Sequence, residues 1–175
     1  MSCRYNFSEC CERLLIEQIN MELYASHCYL ALAAHFDHQH VALNNIRKYF
    51  QKESDGERAH AQLLIDYVNK RGGKVILQSI QAPEFGDVTL LSAFEKALDL
   101  EKSVNESLIN IHKYADEHQD AQLADFIEGT FLSEQVAAMK ELADHITNIK
   151  RCTNDGNYKP GEFIFANNFP IKYGK

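Results

Sequence analysis

Apolar residues recur at helical spacing through four long stretches of the chain. Leu15, Ile19, Leu23, Leu30 and Ala33 mark a first helix over about 9–36, with Ser8 placed to cap it. The polar run Asp37-His38-Gln39-His40 interrupts the pattern as a short turn. Ile46, Tyr49, Phe50, Leu63, Leu64, Tyr67 and Val68 mark a second helix over about 44–71, closed by Gly72-Gly73. Residues 73–88 have no helical period: Val75-Ile76-Leu77 reads as extended, and Pro83 and Gly86 follow. Thr89 caps a third helix over about 90–117, marked by Leu91, Phe94, Leu98, Leu108, Ile109 and Ile111. Asp120 caps a fourth over about 121–150, through Leu123, Phe126, Ile127, Val136, Met139, Leu142 and Ile146. Asn154-Asp155-Gly156-Asn157 is a loop, and the apolar stretch at 162–169 leaves room for two turns before Pro170.

Helices of about 28 residues are roughly 42 Å long. The connection of about 16 residues after the second is longer than an antiparallel neighbour needs. It lets the third helix start at the same end as the second. The expected fold is all-α: one domain, 1–175, built as a four-helix bundle with one long crossover and a short, atypical fifth helix. The three prolines agree: Pro83 falls in the crossover, and Pro160 and Pro170 bracket the fifth helix.

Charge and cysteine content narrow the partners. The net charge of −7 with no basic patch argues against nucleic acid and favours cations. No apolar run approaches 18 residues, so no membrane span is expected. The N-terminus lacks the apolar core of a secretory signal. Five cysteines without a C-x-x-C fit reduced thiols in a cytoplasmic protein, with Cys10-Cys11 on the first helical turn, one thiol in and one out.

The informative residues are polar ones that interrupt apolar helix faces. Glu22 and Tyr29, seven apart, differ by only about 20° around the first helix. Glu57 and His60 form Glu-x-x-His on the second. Glu101 lies between Leu100 and Val104 on the third, and Gln135 lies beside Val136 on the fourth. Each alone is weak, because a single Glu on a helix is usually a solvated charge. Together they place one such group near the middle of every helix. Carboxylates and an imidazole meeting inside a bundle are prohibitively costly unless cations neutralise them. The donor set suits iron, manganese or zinc.

Six segments carry a family likeness: Asn20-Met21-Glu22-Leu23-Tyr24-Ala25-Ser26, Glu57-Arg58-Ala59-His60-Ala61, Lys70-Arg71-Gly72-Gly73, Leu100-Glu101-Lys102-Ser103-Val104-Asn105, Asp125-Phe126-Ile127-Glu128 and Glu134-Gln135-Val136. They resemble ferritin of the heavy-chain, ferroxidase-bearing type, over residues 5–153. Ferritin-like folds are themselves the standard one-crossover bundle, so the architecture is not independent support. The resemblance implies a di-iron site. Glu22, Glu57 and His60 would hold the first iron, Glu57 would bridge to the second, and Glu101 would complete the poorer second site. Tyr29 and Gln135 would lie close by, hydrogen-bonded to ligands or water, and are counted with the catalytic set. A second Glu-x-x-His is missing, since Glu101 is followed three residues later by Val104, so the second iron should be loosely held.

The resemblance further implies that two Fe(II) ions each give one electron to O2. Fe(III) then moves to an interior cavity and hydrolyses to ferric oxyhydroxide. The shell would hold 24 subunits, of this chain alone or mixed with other ferritin chains. Asp125 and Glu128 would line three-fold channels as an acidic funnel for cations. Residues 56, 59 and 62, where the family commonly has cavity-side acids, are Gly56, Ala59 and Gln62. Glu53 and Asp55 are nearby but read as facing elsewhere. Oxidation with weakened mineral nucleation is therefore expected.

Other residues carry blander readings. His35, His38 and His40 read as a solvated turn, Glu141 and His145 as a surface pair, and Tyr24 as packing. A structural, non-catalytic shell subunit is the rival reading. It predicts lost ferroxidase ligands and retained cavity acids, the reverse of this sequence. A signalling bundle predicts apolar or solvated residues at the interior positions.

Overall fold

Local capping chemistry sets where the helices begin. In the computed structural model, which describes residues 3–153 and 159–170, α1 spans Glu9–Asp37 behind Ser8, whose hydroxyl accepts from the Cys11 N–H at 3.0 Å. α2 spans Asn44–Lys70. α3 spans Leu90–Glu117 behind a capping box in which Thr89 and Ser92 bond each other's backbone N–H. α4 spans Ala121–Ile127 behind Asp120, whose carboxylate accepts from the Leu123 N–H at 3.1 Å. A single π turn, Glu128–Leu132, leads directly into α5, Ser133–Thr153. A short α6 spans Lys159–Asn167. No strand occurs among the described residues. The loop expected at 154–157 lies outside them.

Two helix ends are closed in the same way. After α2, Gly73 N–H bonds Val68 C=O at 2.9 Å and Gly72 N–H bonds Asn69 C=O at 3.1 Å. After α3, Asp120 N–H bonds Ala115 C=O at 2.8 Å and Gln119 N–H bonds Asp116 C=O at 2.9 Å. Both are Schellman caps, with the left-handed residue being Gly72 (φ 76°) in one and Gln119 (φ 55°) in the other. The two ends meet. Arg71 grips Asp120 through two hydrogen bonds, at 2.9 and 3.1 Å, and also bonds the Asn6 carbonyl at 2.9 Å.

The crossover works as the sequence predicts. The α1–α2 turn residues His40, Val41 and Leu43 share a hollow with Val88, Thr89 and Leu90 at the start of α3. The far ends of α2 and α3 are joined by Arg71 and Asp120. The two helices therefore start at one end of the bundle and finish at the other. α1 and α2 are pinned near mid-length by reciprocal bonds: Ser26 Oγ donates to Ser54 C=O at 2.7 Å, and Ser54 Oγ donates to Ser26 C=O at 2.8 Å.

Buried apolar side chains form two clusters. One contains Leu15, Ile19, Leu64, Val68, Ile111, Leu123 and Ile127. The other contains Phe36, Phe50, Phe94, Leu142, Ile149 and Phe169. The interior polar residues of α1, α2, α3 and α5 divide them.

Several expectations need correction. The fourth helix is not one α-helix over 121–150; the π turn divides it. Ile127, Phe131 and Gln135 are all buried although spaced by four. Eight residues at about 100° each overshoot two turns by about 80°. The wider π turn absorbs that excess, so Gln135 faces inward and Val136 is 66% exposed. Leu30, Leu63 and Ile109 are exposed as well, because they lie beside the buried stripe and not on it. Pro160 does not precede α6 but sits in its first turn, where a missing N–H costs nothing. His145 is not half of a surface pair. It is 3.5 Å from Glu141, yet it is buried against Tyr49, Phe94 and Phe169, with ring centroids at 5.7, 5.5 and 4.6 Å. The Cys10-Cys11 reading holds: Cys11 is buried and Cys10 half-buried, and all five thiols are free.

Two glycines give opposite expectations. A Cβ at Gly72 would lie 2.8 Å from the Arg4 backbone nitrogen, at positive φ. A Cβ at helical Gly56 would meet nothing within 4 Å. Gly72→Ala should destabilise the protein by about 1–3 kcal/mol. Gly56→Ala should stabilise it by about 0.5–1 kcal/mol. Equilibrium chemical unfolding of the two variants measures both signs.

Candidate metal centre

Glu22 and Tyr29 come from α1, Glu57 and His60 from α2, Glu101 from α3 and Gln135 from α5. The structure brings all six into one connected cluster. Glu22, Glu57 and His60 each offer a donor atom, and the three atoms lie within 4.8 Å of one another. No other group of three or more such side chains does so among the described residues. His60 Nδ1 is 3.2 Å from Glu57 Oε2. Glu101 is held differently. Tyr29 Oη donates to its Oε1, and Gln135 Nε2 donates to its Oε2 at 2.9 Å.

Water is largely excluded. Glu22 is 0% exposed and Glu101 3%, while Tyr29, Glu57 and Gln135 are also buried. Burial, then the charge of Glu57, pushes the Glu22 carboxyl well above the usual carboxylate range. Burial, then Glu101, pushes Glu57 up to about 8. Burial, then Glu101 and Glu57, raises the Tyr29 phenol well above its ordinary value, so it stays a proton donor. Glu22 Oε2 is buried and receives no hydrogen bond. A buried carboxylate oxygen without a donor, beside a second carboxylate and an imidazole, is what a cation would satisfy.

Sequence reasoning missed neighbours of this cluster. Glu53 lies off the face that carries Ala59 and Gln62, and its side borders the cluster. It is four residues before Glu57, hence on the same side of α2. With Tyr29, Tyr49, Glu101, Glu134 and Glu141 it lines a cleft of about 200 Å³. Burial pushes its carboxyl up to about 7. Glu134 Oε2 is 3.4 Å from His60 Nε2, the ring nitrogen away from Glu57. Gln18, four residues before Glu22, donates from Nε2 to Glu22 Oε1 at 2.7 Å. The i, i+4 spacing to a mid-helix Glu is the signal that could have found both Glu53 and Gln18.

Asp125 and Glu128 are not part of the cluster. Both are exposed, one turn apart, and Glu128 lies 3.5 Å from His112 Nε2 on α3. His38 and His40 are exposed on the α1–α2 turn, but His35 is not in that turn: it is half-buried in the last turn of α1, against Phe36. Tyr24 is half-buried and pairs with Cys28, whose hydrogen bond is the main cause of its raised phenol pKa. Among the described residues no helix is long and apolar enough to cross a membrane.

A one-crossover helical bundle with buried carboxylates and an imidazole at mid-length belongs to the ferritin-like class. A profile of the ferritin-like domain matches residues 12–152. Soma ferritin of Lymnaea stagnalis is 50% identical over 165 residues, 93% of this chain and 91% of that protein. A ferritin heavy chain of Echinococcus granulosus is 46% identical over 163 residues, 93% of this chain and 92% of that one. The chain belongs to the ferritin family, iron-binding storage proteins that form multi-subunit shells.

The raised carboxyl pKa values set a pH dependence. An unfolded Glu titrates near 4.5, whereas folded Glu53 and Glu57 titrate at about 7 and about 8. The folded state therefore binds more protons in between, and stability falls as pH rises through that window. The metal-free protein should lose stability from pH 5 to pH 9, and Glu57→Gln should flatten the slope. Thermal unfolding across pH, with and without Co(II), reads this; a bound cation should offset the loss at high pH.

Proposed function

We propose that this chain is the ferroxidase-bearing subunit of a cytoplasmic iron-storage shell. The observation that carries the reading is the buried Glu22, Glu57 and His60 group beside a Glu101 held by Tyr29 and Gln135. It is joined to 46% identity with a heavy-chain ferritin. Fe(II) is the substrate. One ion is taken by Glu22, Glu57 and His60; Glu57 bridges to a second, which Glu101 completes. One electron from each passes to O2, taking it to the peroxide level, and the Fe(III) product moves to the cavity and hydrolyses with water to ferric oxyhydroxide, releasing protons.

The two halves hold iron unequally. Glu22 Oε2 receives no hydrogen bond, so its lone pairs are free for the first ion. Both oxygens of Glu101 already accept one, from Tyr29 and Gln135, which lowers their capacity to donate to the second. Val104, where a partnering imidazole would stand, is 2% exposed and offers no ligand. A weak second site suits a product that must leave.

The assembly is a shell of 24 subunits, of this chain or mixed with other ferritin chains. Asp125 and Glu128, exposed at the start of the fourth helix, line its three-fold channels and draw in cations. Nucleation is weakened because Gly56, Ala59 and Gln62 carry no carboxylate. The alternative, a non-catalytic structural subunit, has no such support, because all six site residues are present and the cavity acids are the ones missing.

Stopped-flow absorbance after mixing Fe(II) with air tests the centre. A burst should saturate at about two Fe(II) per chain. Glu22→Ala together with His60→Ala should abolish it; an unchanged burst removes the assignment. Gly56→Glu, Ala59→Glu and Gln62→Glu together should accelerate mineral growth and leave the burst unchanged. The open space at Gly56 accommodates the longer side chain. Equal mineral growth would sink the nucleation argument.

A further inference from the structure

Among the described residues, Gln18 is the one fully buried amide whose role the six-residue cluster does not explain. It is 0% exposed, one turn before Glu22, between the buried apolar Leu15 and Ile19 on α1. An apolar side chain would fill this place without leaving a buried polar atom unsatisfied. Gln18 Oε1 has no hydrogen-bond partner. Packing therefore does not account for it. Its Nε2 bonds Glu22 Oε1 at 2.7 Å, and Glu22 Oε2 is left without a donor.

The cluster contains a parallel. Gln135 Nε2 holds Glu101 at 2.9 Å, and Gln18 Nε2 holds Glu22 at 2.7 Å. Each outer carboxylate is gripped by one glutamine amide. Glu57, between them, is met by His60 Nδ1 at 3.2 Å. Side chains that grip a ligand fix its rotamer and its free lone pairs, and their loss typically costs 10–100-fold in metal affinity.

We propose that Gln18 is a positioning residue of the first iron site. Its amide pins Glu22 through Oε1 and so presents Oε2 to the cation shared with Glu57 and His60. Its unpaired carbonyl oxygen accepts a hydrogen bond from a water carried by that cation. The inference rests on the iron-site reading above, and the test separates the two.

The probe is Co(II), titrated into the assembled shell and followed by visible absorption, which reports ligand geometry without turnover. Wild type should bind, and Glu22→Ala should abolish the tight phase. Gln18→Met keeps the volume and removes the amide. It should weaken the tight phase about 10-fold and shift its absorption. Gln18→Asn keeps the amide but is too short to reach Glu22, and should do the same; it serves if Gln18→Met fails to assemble. An assembled variant with wild-type affinity and spectrum overturns the role of Gln18, even if its thermal midpoint falls. A wild-type protein whose Co(II) binding is indifferent to Glu22→Ala overturns the site reading, and this inference with it.

Discussion

Burying Glu22, Glu57 and Glu101 at mid-bundle is the constraint on which the rest of the structure depends. A carboxylate removed from water must be protonated, hydrogen-bonded or matched with a cation. The first two responses are visible, and the third has a place left for it. Burial and then the charge of Glu101 push the Glu57 carboxyl upward, and burial and then the charge of Glu57 push up that of Glu22. Glu101 is saturated by a phenol and an amide. Glu22 keeps one oxygen unmatched. The acidic layer splits the apolar interior in two, so packing above and below it has to hold the layer together against its own repulsion.

That task explains the length and the closure of the helices. α1 alone has 29 residues, about 43 Å, enough to carry an apolar cluster on either side of the acids. One end of the bundle is locked by Arg71 on Asp120. At the other, the rings of Phe36, Phe50, Phe94, Tyr49 and Phe169 pack on one another. Between them the paired Ser26 and Ser54 hold α1 and α2 together one turn from Glu22 and one from Glu57. The distance between the two carboxylates is thus fixed by neutral hydrogen bonds that need no metal.

What was legible in the sequence follows from the range of the interactions. Ser8, Thr89 and Asp120 cap through atoms within three residues, so their roles can be read locally. Glu22, Glu57, His60 and Glu101 were legible because a charge in an apolar stripe is conspicuous. Gln18 and Glu53 were passed over because a glutamine or glutamate one turn away is unremarkable until a partner helix buries it. His145 was misread for the same reason: Tyr49 on α2, Phe94 on α3 and Phe169 just after α6 remove it from water. The π turn was not legible at all. Its signal is that Gln135, and not Glu134, faces the acids, and that depends on α3.

The π turn also separates two jobs that a uniform α-helix would put in competition. By turning Gln135 inward it supplies the second donor that Glu101 needs. It leaves Glu134 largely exposed, yet within 3.4 Å of His60 Nε2. One residue thus hydrogen-bonds the buried layer while its neighbour lines the cleft shared with Glu53 and Glu141. A carboxylate in this position keeps the imbalance of charge continuous from the interior to the surface.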